Sequence, residues 1–252
     1  CGDLSNVPNN TIDYIFTDPP FGSNIMYNEL NFMAEGWLKC FTNSSFDTIV
    51  NSEQAKEIDF YKNELTKAFK EYYRVLKPKR WLNIEFNNSK SIIWNVLRRA
   101  INNSGFIISQ VNVLDKTQGS FKQVTSPGSV SKDLLISAFK PIKDYKLENV
   151  SKITKQFIIS FLYDLLSHID SKTITERTFQ VLYSKYISLC MTNNYTIDLD
   201  ATHFSSILHE NFTEKDGFWF TYDQIEDYLE YKKHMKLEGI EEIKSGMNML
   251  FV

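Results

Sequence analysis

Glycine is scarce in this chain: nine in 252 residues, and no two of them stand as Gly-x-Gly. The tight turn that lets a parallel sheet bring its main chain against a dinucleotide-like cofactor is therefore not spelled out. Cysteine is scarcer still. Cys1, Cys40 and Cys190 are widely spaced and form no Cys-x-x-Cys pair, so free thiols are expected rather than a disulfide framework or a zinc site. His168, His203, His209 and His234 are scattered without a His-x-x-x-His helical pair, so no metal site is expected. An excess of positive charge is also lacking. The net charge of −3 argues against coating nucleic acid by bulk charge, although a local basic cleft is compatible with it. No run of 18 apolar residues occurs, so a membrane partner is not expected and the chain reads as cytoplasmic.

What is present is ample material for a core: 42% hydrophobic and 14% aromatic residues. Ile12 to Phe16 is an apolar run that reads as a strand, and 24–41 carries helical spacing with Leu30, Met33, Ala34, Trp37 and Leu38 on one side. Residues 61–76 predict an amphipathic helix closed by Pro78. Strands are expected at 81–86, 106–114 and 134–139, with a helix between the first two that Gly105 ends. The succession predicts an α/β sheet with crossovers, and the last two strands, joined without a helix, predict an antiparallel edge hairpin. Beyond Pro141 the pattern becomes helical, with a strong stripe at Ile153, Phe157, Ile158, Phe161, Leu162, Leu165 and Leu166. Further helices are expected at 176–191, 202–211 and 222–237. Phe218-Trp219-Phe220 reads as a short strand or a core plug. The expected division is 1–144 and 145–252.

The segment with the most chemistry is Thr17-Asp18-Pro19-Pro20-Phe21-Gly22, reached straight from the first strand. Two prolines fix their own φ, lack N–H donors and hold their predecessors out of the α region. The result is a stiff corner with free carbonyl acceptors, a carboxylate on one side and a ring on the other. A carboxylate plus a carbonyl suits an exocyclic amino group, and a ring face suits a planar base.

This hexapeptide resembles the Asp-Pro-Pro-Tyr/Phe motif of S-adenosyl-L-methionine-dependent amino methyltransferases, which methylate adenine N6 or cytosine N4 in DNA. Gly2-Asp3, residues 12–21, Arg74 to Pro78, Trp81 to Phe86 and Asp133 to Pro141 stand in the order of that family. The resemblance covers 1–141 well and the rest loosely. It implies a Rossmann-like methyltransferase sheet, partial and mostly parallel with an antiparallel edge hairpin, followed by a mainly helical C-terminal domain. Asp18, Pro19, Pro20 and Phe21 become the catalytic group: Asp18 and the Pro19 carbonyl accept the amino hydrogens, and Phe21 stacks on a flipped base. Asp3 and Gly22 are assigned to S-adenosyl-L-methionine, with a solvated loop and plain turn chemistry as their other readings. Ser23, Asn87, Lys116 and Lys122 are assigned to DNA. For Asn87 to Ser89 the competing reading is a helix cap at Ser89, and for 116–126 a surface hairpin. Arg98 and Arg99 read as a solvated helix face.

The implied partner is DNA, together with other restriction or defence subunits. Because the glycine-rich turn is absent, the chain is expected to be a piece of a longer protein, inactive or nearly so by itself. Two other classes stay open: a non-catalytic DNA-binding or assembly subunit, and an RNA or protein-glutamine methyltransferase.

Overall fold

The computed structural model describes residues 4–23, 27–114, 133–143 and 150–237, which fall into two compact units. In the first, β1 (Ile12–Thr17), α1 (Tyr27–Leu38), α2 (Ile58–Val75), β2 (Leu76–Phe86), α3 (Ser91–Asn103), β3 (Ile107–Leu114) and β4 (Asp133–Phe139) follow one another, with 3-10 turns at Ser44–Phe46 and Ser52–Gln54. The sheet order is β1-β2-β4-β3. β1 and β2 run parallel, with Thr17 opposite Ile84, while β4 is antiparallel to both of its neighbours. The sheet is thus mixed: the expected antiparallel hairpin of the last two strands stands at its edge, but because β4 lies between β2 and β3, β1–β2 is the one parallel pairing among the described strands, which corrects the expectation of a mostly parallel sheet. α1 and α2 stand between β1 and β2 in the chain, and α3 stands between β2 and β3, which run in the same direction on either side of β4. β4, the next strand in sequence, pairs antiparallel with β3.

One face of this sheet forms the core. Leu82, Ile84, Phe86, Ile136 and Ala138 are fully buried. α2 contributes Tyr61, Leu65 and Phe69 at i, i+4, i+8, and α3 contributes Ile93, Val96, Leu97, Ala100 and Ile101. Period-two alternation sends Tyr14, Phe16 and Trp81 to the opposite, half-exposed face. Lys140 is a buried exception to polarity. Its ammonium donates to Asn10 Oδ1 and to the carbonyls of Tyr73 and Leu76, at 2.6–2.8 Å, and lies over the Tyr73 ring. It ties the end of β4 to the junction of α2 and β2, and desolvation holds its pKa below the ordinary lysine value.

Three local expectations change. The apolar residues of α1 are exposed, Trp37 by 88%, because periodicity says which residues share a face and not whether anything covers it. Arg98 is fully buried within α3, not part of a solvated face. Ser89 does not cap α3: the helix begins after Lys90, which makes no side-chain cap.

The second unit holds α4 (Lys155–His168), a 3-10 turn at Ile174–Arg177, α5 (Phe179–Thr192), α6 (Ala201–Asn211), the strand pair β5 (Thr213–Lys215) and β6 (Phe218–Phe220), and α7 (Ile225–Leu237). Three of its helices start on side-chain caps: Thr154 accepts from Phe157 N, Thr178 from Val181 N, and Asp200 from His203 N. Asp216 and Gly217 both take positive φ, the geometry of a two-residue hairpin turn. All three residues of β6 are buried, so Phe218-Trp219-Phe220 is at once strand and core. The region expected as one helix from 176 divides at Thr178 into the 3-10 turn and α5. Among the described residues, no helix is long and apolar enough to cross a membrane.

Candidate functional site

β1 and β2 are parallel, and Thr17 at the end of β1 stands opposite Ile84, two residues before the end of β2, so the segments leaving them lie at one edge of the sheet. Open α/β sheets place ligand sites at that carboxyl edge. Leaving β1 are Asp18, Pro19 and Pro20; leaving β2 are Asn87 and Asn88.

The Asp-Pro-Pro corner is held from two directions. The Tyr61 hydroxyl, from the first turn of α2, donates to the Pro20 carbonyl. The Asn88 amide donates to the Phe21 carbonyl at 3.0 Å. Asn88 is itself fixed: its side-chain oxygen accepts from Lys90 N at 2.8 Å, and its carbonyl accepts from the Trp94 indole at 2.7 Å. The next residue, Gly22, has φ +72°, and a Cβ there would stand 3.0 Å from Ile93 Cδ1. Both facts favour glycine without reference to any ligand. The Gly22 carbonyl accepts from Val50 N at 3.1 Å, which docks the 47–50 segment beside the corner.

Between these segments lies a cavity of about 450 Å³. Thr17, Asp18, Pro19 and Pro20 form one side, and Asp47, Thr48 and Ile49 another. Leu65, Ala68, Phe69 and Tyr72 of α2 supply a largely apolar wall. Asp18 is exposed and Pro19 buried, so the carboxylate reaches solvent while the backbone behind it is packed. The volume falls within the usual range for small-molecule sites, roughly 300–1,000 Å³, and apolar walls with a few convergent polar groups are their usual lining. A second cavity of about 470 Å³, around Lys79, Trp81 and Phe139, lies at the opposite end of the sheet, away from the carboxyl ends of β1 and β2.

Of the predicted site residues, Asp18, Pro19 and Pro20 come together at this cavity. Phe21 is half-buried and turns edge-on to Phe86, with ring centroids 4.9 Å apart. Phe86 in turn meets Trp94 at 5.1 Å, so the ring belongs to an aromatic ladder. Gly22 is buried, Ser23 is exposed and Asn87 is buried. Asp3, Lys116 and Lys122 lie outside the described residues. Sequence reading missed Tyr61, Asp47 and the holding role of Asn88. Asn88 stood directly beside a chosen residue. Tyr61 and Asp47 gave no local signal, because their relation to the corner spans 41 residues for Tyr61 and depends on the backbone bond between Val50 and Gly22 for Asp47.

No protein-family profile and no curated protein matches the chain. Among solved structures, a Thermus thermophilus protein assigned as a DNA modification methylase, complexed with S-adenosyl-L-methionine, aligns with 58% of this chain and 52% of its own, at 14% identity and a TM-score of 0.34. The chain thus spans about half the length of that protein in this alignment. Another structure of the Thermus protein aligns over 82% of this chain and 89% of its own, at 11% identity and a TM-score of 0.32. A SAM-dependent methyltransferase of Methanosarcina mazei aligns over 56% and 65%, at 12% identity and a TM-score of 0.31. Superpositions this loose leave the functional reading to the chain's own residues.

Proposed function

We propose that this chain carries the base-binding part of an S-adenosyl-L-methionine-dependent DNA methyltransferase that acts on the exocyclic amino group of a flipped base. Adenine N6 is the first choice and cytosine N4 the other. The setting implied by the resemblance is restriction-modification or phage defence. The observation that carries the reading is the Asp18-Pro19-Pro20 corner, at the carboxyl end of β1, lining a cavity wide enough for a base.

The amino nitrogen of a base is a weak nucleophile because its lone pair is delocalised into the ring. Acceptors aimed at its hydrogens favour the pyramidal form, in which that pair is available. Asp18 and the Pro19 carbonyl fill this role. Tyr61 and Asn88 hold the two following carbonyls, so the acceptors need little reorganisation when charge develops. The apolar wall of Leu65, Ala68 and Phe69 offers the base an apolar surface, and a base that fills the cavity would displace the water that otherwise reaches Asp18.

The cofactor would supply the methyl group as a sulfonium. Among the described residues the full cradle is not made: β1 runs into Asp-Pro-Pro and β2 into Asn87-Asn88-Ser89, and neither sequence is the close-approach glycine turn that the methionine part requires. The chain is therefore expected to bind S-adenosyl-L-methionine more weakly than micromolar in a calorimetric titration. Micromolar affinity would contradict that expectation.

The base-binding role is tested separately. In ligand-observed NMR with the whole chain, deoxyadenosine is expected to bind about tenfold more tightly than purine deoxyriboside, which lacks only the amino group, as the loss of a charge-assisted hydrogen bond implies. Deoxycytidine and its amine-free analogue form the parallel pair. Equal binding within both pairs would remove the basis for the reading.

A further inference from the structure

The sheet face opposite the α2–α3 core carries a row of rings. The register sets Tyr14 of β1 beside Trp81 of β2, and Trp81 beside Phe139 of β4, so the three side chains stand on one face of adjacent strands. Trp81 and Phe139 meet with ring centroids 5.5 Å apart. Tyr14, Phe16 and Trp81 are 53%, 54% and 41% exposed, so this is a shared apolar surface and not a single stray ring. Its geometry is fixed: both neighbouring strands hold Trp81 in register, and the Asn83 amide, one row along, donates to the Tyr14 hydroxyl at 3.0 Å. Trp81 and Phe139 also line the cavity of about 470 Å³, together with Lys79 and Lys143. The other cations nearby are committed: Lys77 and Arg80 to Asp13, and the Lys140 ammonium to buried acceptors. Lys79 and Lys143 are exposed and form no ion pair among the described residues.

We infer that this face is a stacking platform for single-stranded nucleic acid, with bases on Trp81 and Tyr14 and phosphates at Lys79 and Lys143. Charge complementarity selects that occupant. An apolar protein surface would cover the rings but enclose two unpaired ammonium groups, which is costly, whereas a strand of nucleotides supplies planar faces and anions together. A duplex hides its base faces inside the stack, so only unpaired bases can use the row. Every base has such a face, so the platform carries no sequence preference of its own. The two lysines lie at the end of the sheet away from the Asp18 corner. The platform therefore holds a strand without presenting a base for reaction, and it does not depend on the reading of the corner.

The test uses the whole chain and a fluorescein-labelled oligodeoxythymidylate of about ten nucleotides, read by fluorescence anisotropy. Thymine has no exocyclic amine, so the Asp18 corner has nothing to recognise in this probe and the two sites are read apart. The unaltered chain is expected to bind the oligonucleotide, and a duplex competitor of the same length should displace it poorly. Trp81→Ala should weaken binding about tenfold while leaving its salt dependence unchanged. Lys79→Ala and Lys143→Ala should each flatten the log–log salt dependence, measured between about 50 and 200 mM, by about 0.7. Thermal melting checks that Trp81→Ala folds. If it does not, Tyr14→Ala on the edge strand carries the same expectation. Absence of binding at the lower salt, or binding that a folded ring variant leaves unchanged, overturns the inference. So does a chain that sediments as a dimer, binds no oligonucleotide and becomes monomeric in Trp81→Ala, which would assign the face to a second copy.

Discussion

Arg177→Ala is expected to lower the stability of the C-terminal unit by about 4 kcal/mol, the largest stability effect of any single substitution considered. Arg177 is 0% exposed. Its guanidinium donates to the carbonyls of Trp219, Leu166 and Ile169 and to the Gln224 side chain, with the Trp219 and Gln224 bonds at 3.1 and 2.9 Å, and it lies 4.7 Å from the centre of the Phe220 ring. One planar fork thus gathers the end of α4, the loop after it, β6 and the turn leading into α7. Burial disfavours the charge and lowers the pKa, an effect that Asp170 opposes. Two effects therefore compete. Removing the charge relieves its desolvation, whereas truncation strips donors from buried carbonyls and leaves a void beside Phe220. Gln224 also donates to Leu166 and Ile169, so the Trp219 carbonyl suffers the sharper loss. Hydrogen bonds to charged groups contribute about 1.5–3 kcal/mol each, enough for the loss to exceed the relief. Arg177→Met fills much of the void and should cost about half as much. Hydrogen exchange across 150–237, measured on the whole chain, reads both variants. A loss below about 1 kcal/mol for the alanine variant would mean that the cage is incidental.

The second large effect concerns the site. Asp18→Ala should abolish the roughly tenfold preference for deoxyadenosine over purine deoxyriboside, because the acceptor that recognises the amine is gone. In a protein that carries out the whole transfer, the same change should lower kcat by about 10²–10³-fold, the usual loss when one preorganised polar group leaves a transition state. Asp18 is exposed, so folding should be little affected and the effect can be read as chemistry. Asp18→Asn separates charge from shape. It keeps an acceptor in place and should fall between the alanine variant and the unaltered chain. A variant without Asp18 that still prefers the amine-bearing nucleoside would show that another group does the recognising.

What could be read in advance follows from how far each signal reaches along the chain. The Asp-Pro-Pro corner was legible because its whole meaning is local: a strand runs into two prolines, and the geometry follows from five consecutive residues. The helices at 58–75 and 91–103 were legible because apolar spacing repeats within them. The same spacing misled at α1, where Leu30, Met33, Trp37 and Leu38 share a pattern but are exposed. Arg98, Lys140 and Arg177 were opaque for the converse reason. Each is a cation buried in the fold, and hydropathy records a charge without recording what surrounds it. For Lys140 and Arg177 the surroundings are main-chain carbonyls contributed by segments far apart in sequence. The mixed sheet has a similar origin. The lack of a helix between the last two strands gave β4 its direction against β3, but strand order is not written in period-two patterning, and β4 inserts between β2 and β3. Asp47 and Tyr61 join the site only after the chain has folded.

The most direct measurement is a crystal structure of the chain with an oligonucleotide bearing unpaired deoxyadenosine and deoxycytidine. The expected result is one base seated in the cavity between the corner and α2, with its amino nitrogen within hydrogen-bonding distance of the Asp18 carboxylate. A cavity without a base, or a base there that turns an edge without an amine toward Asp18, would contradict the central claim.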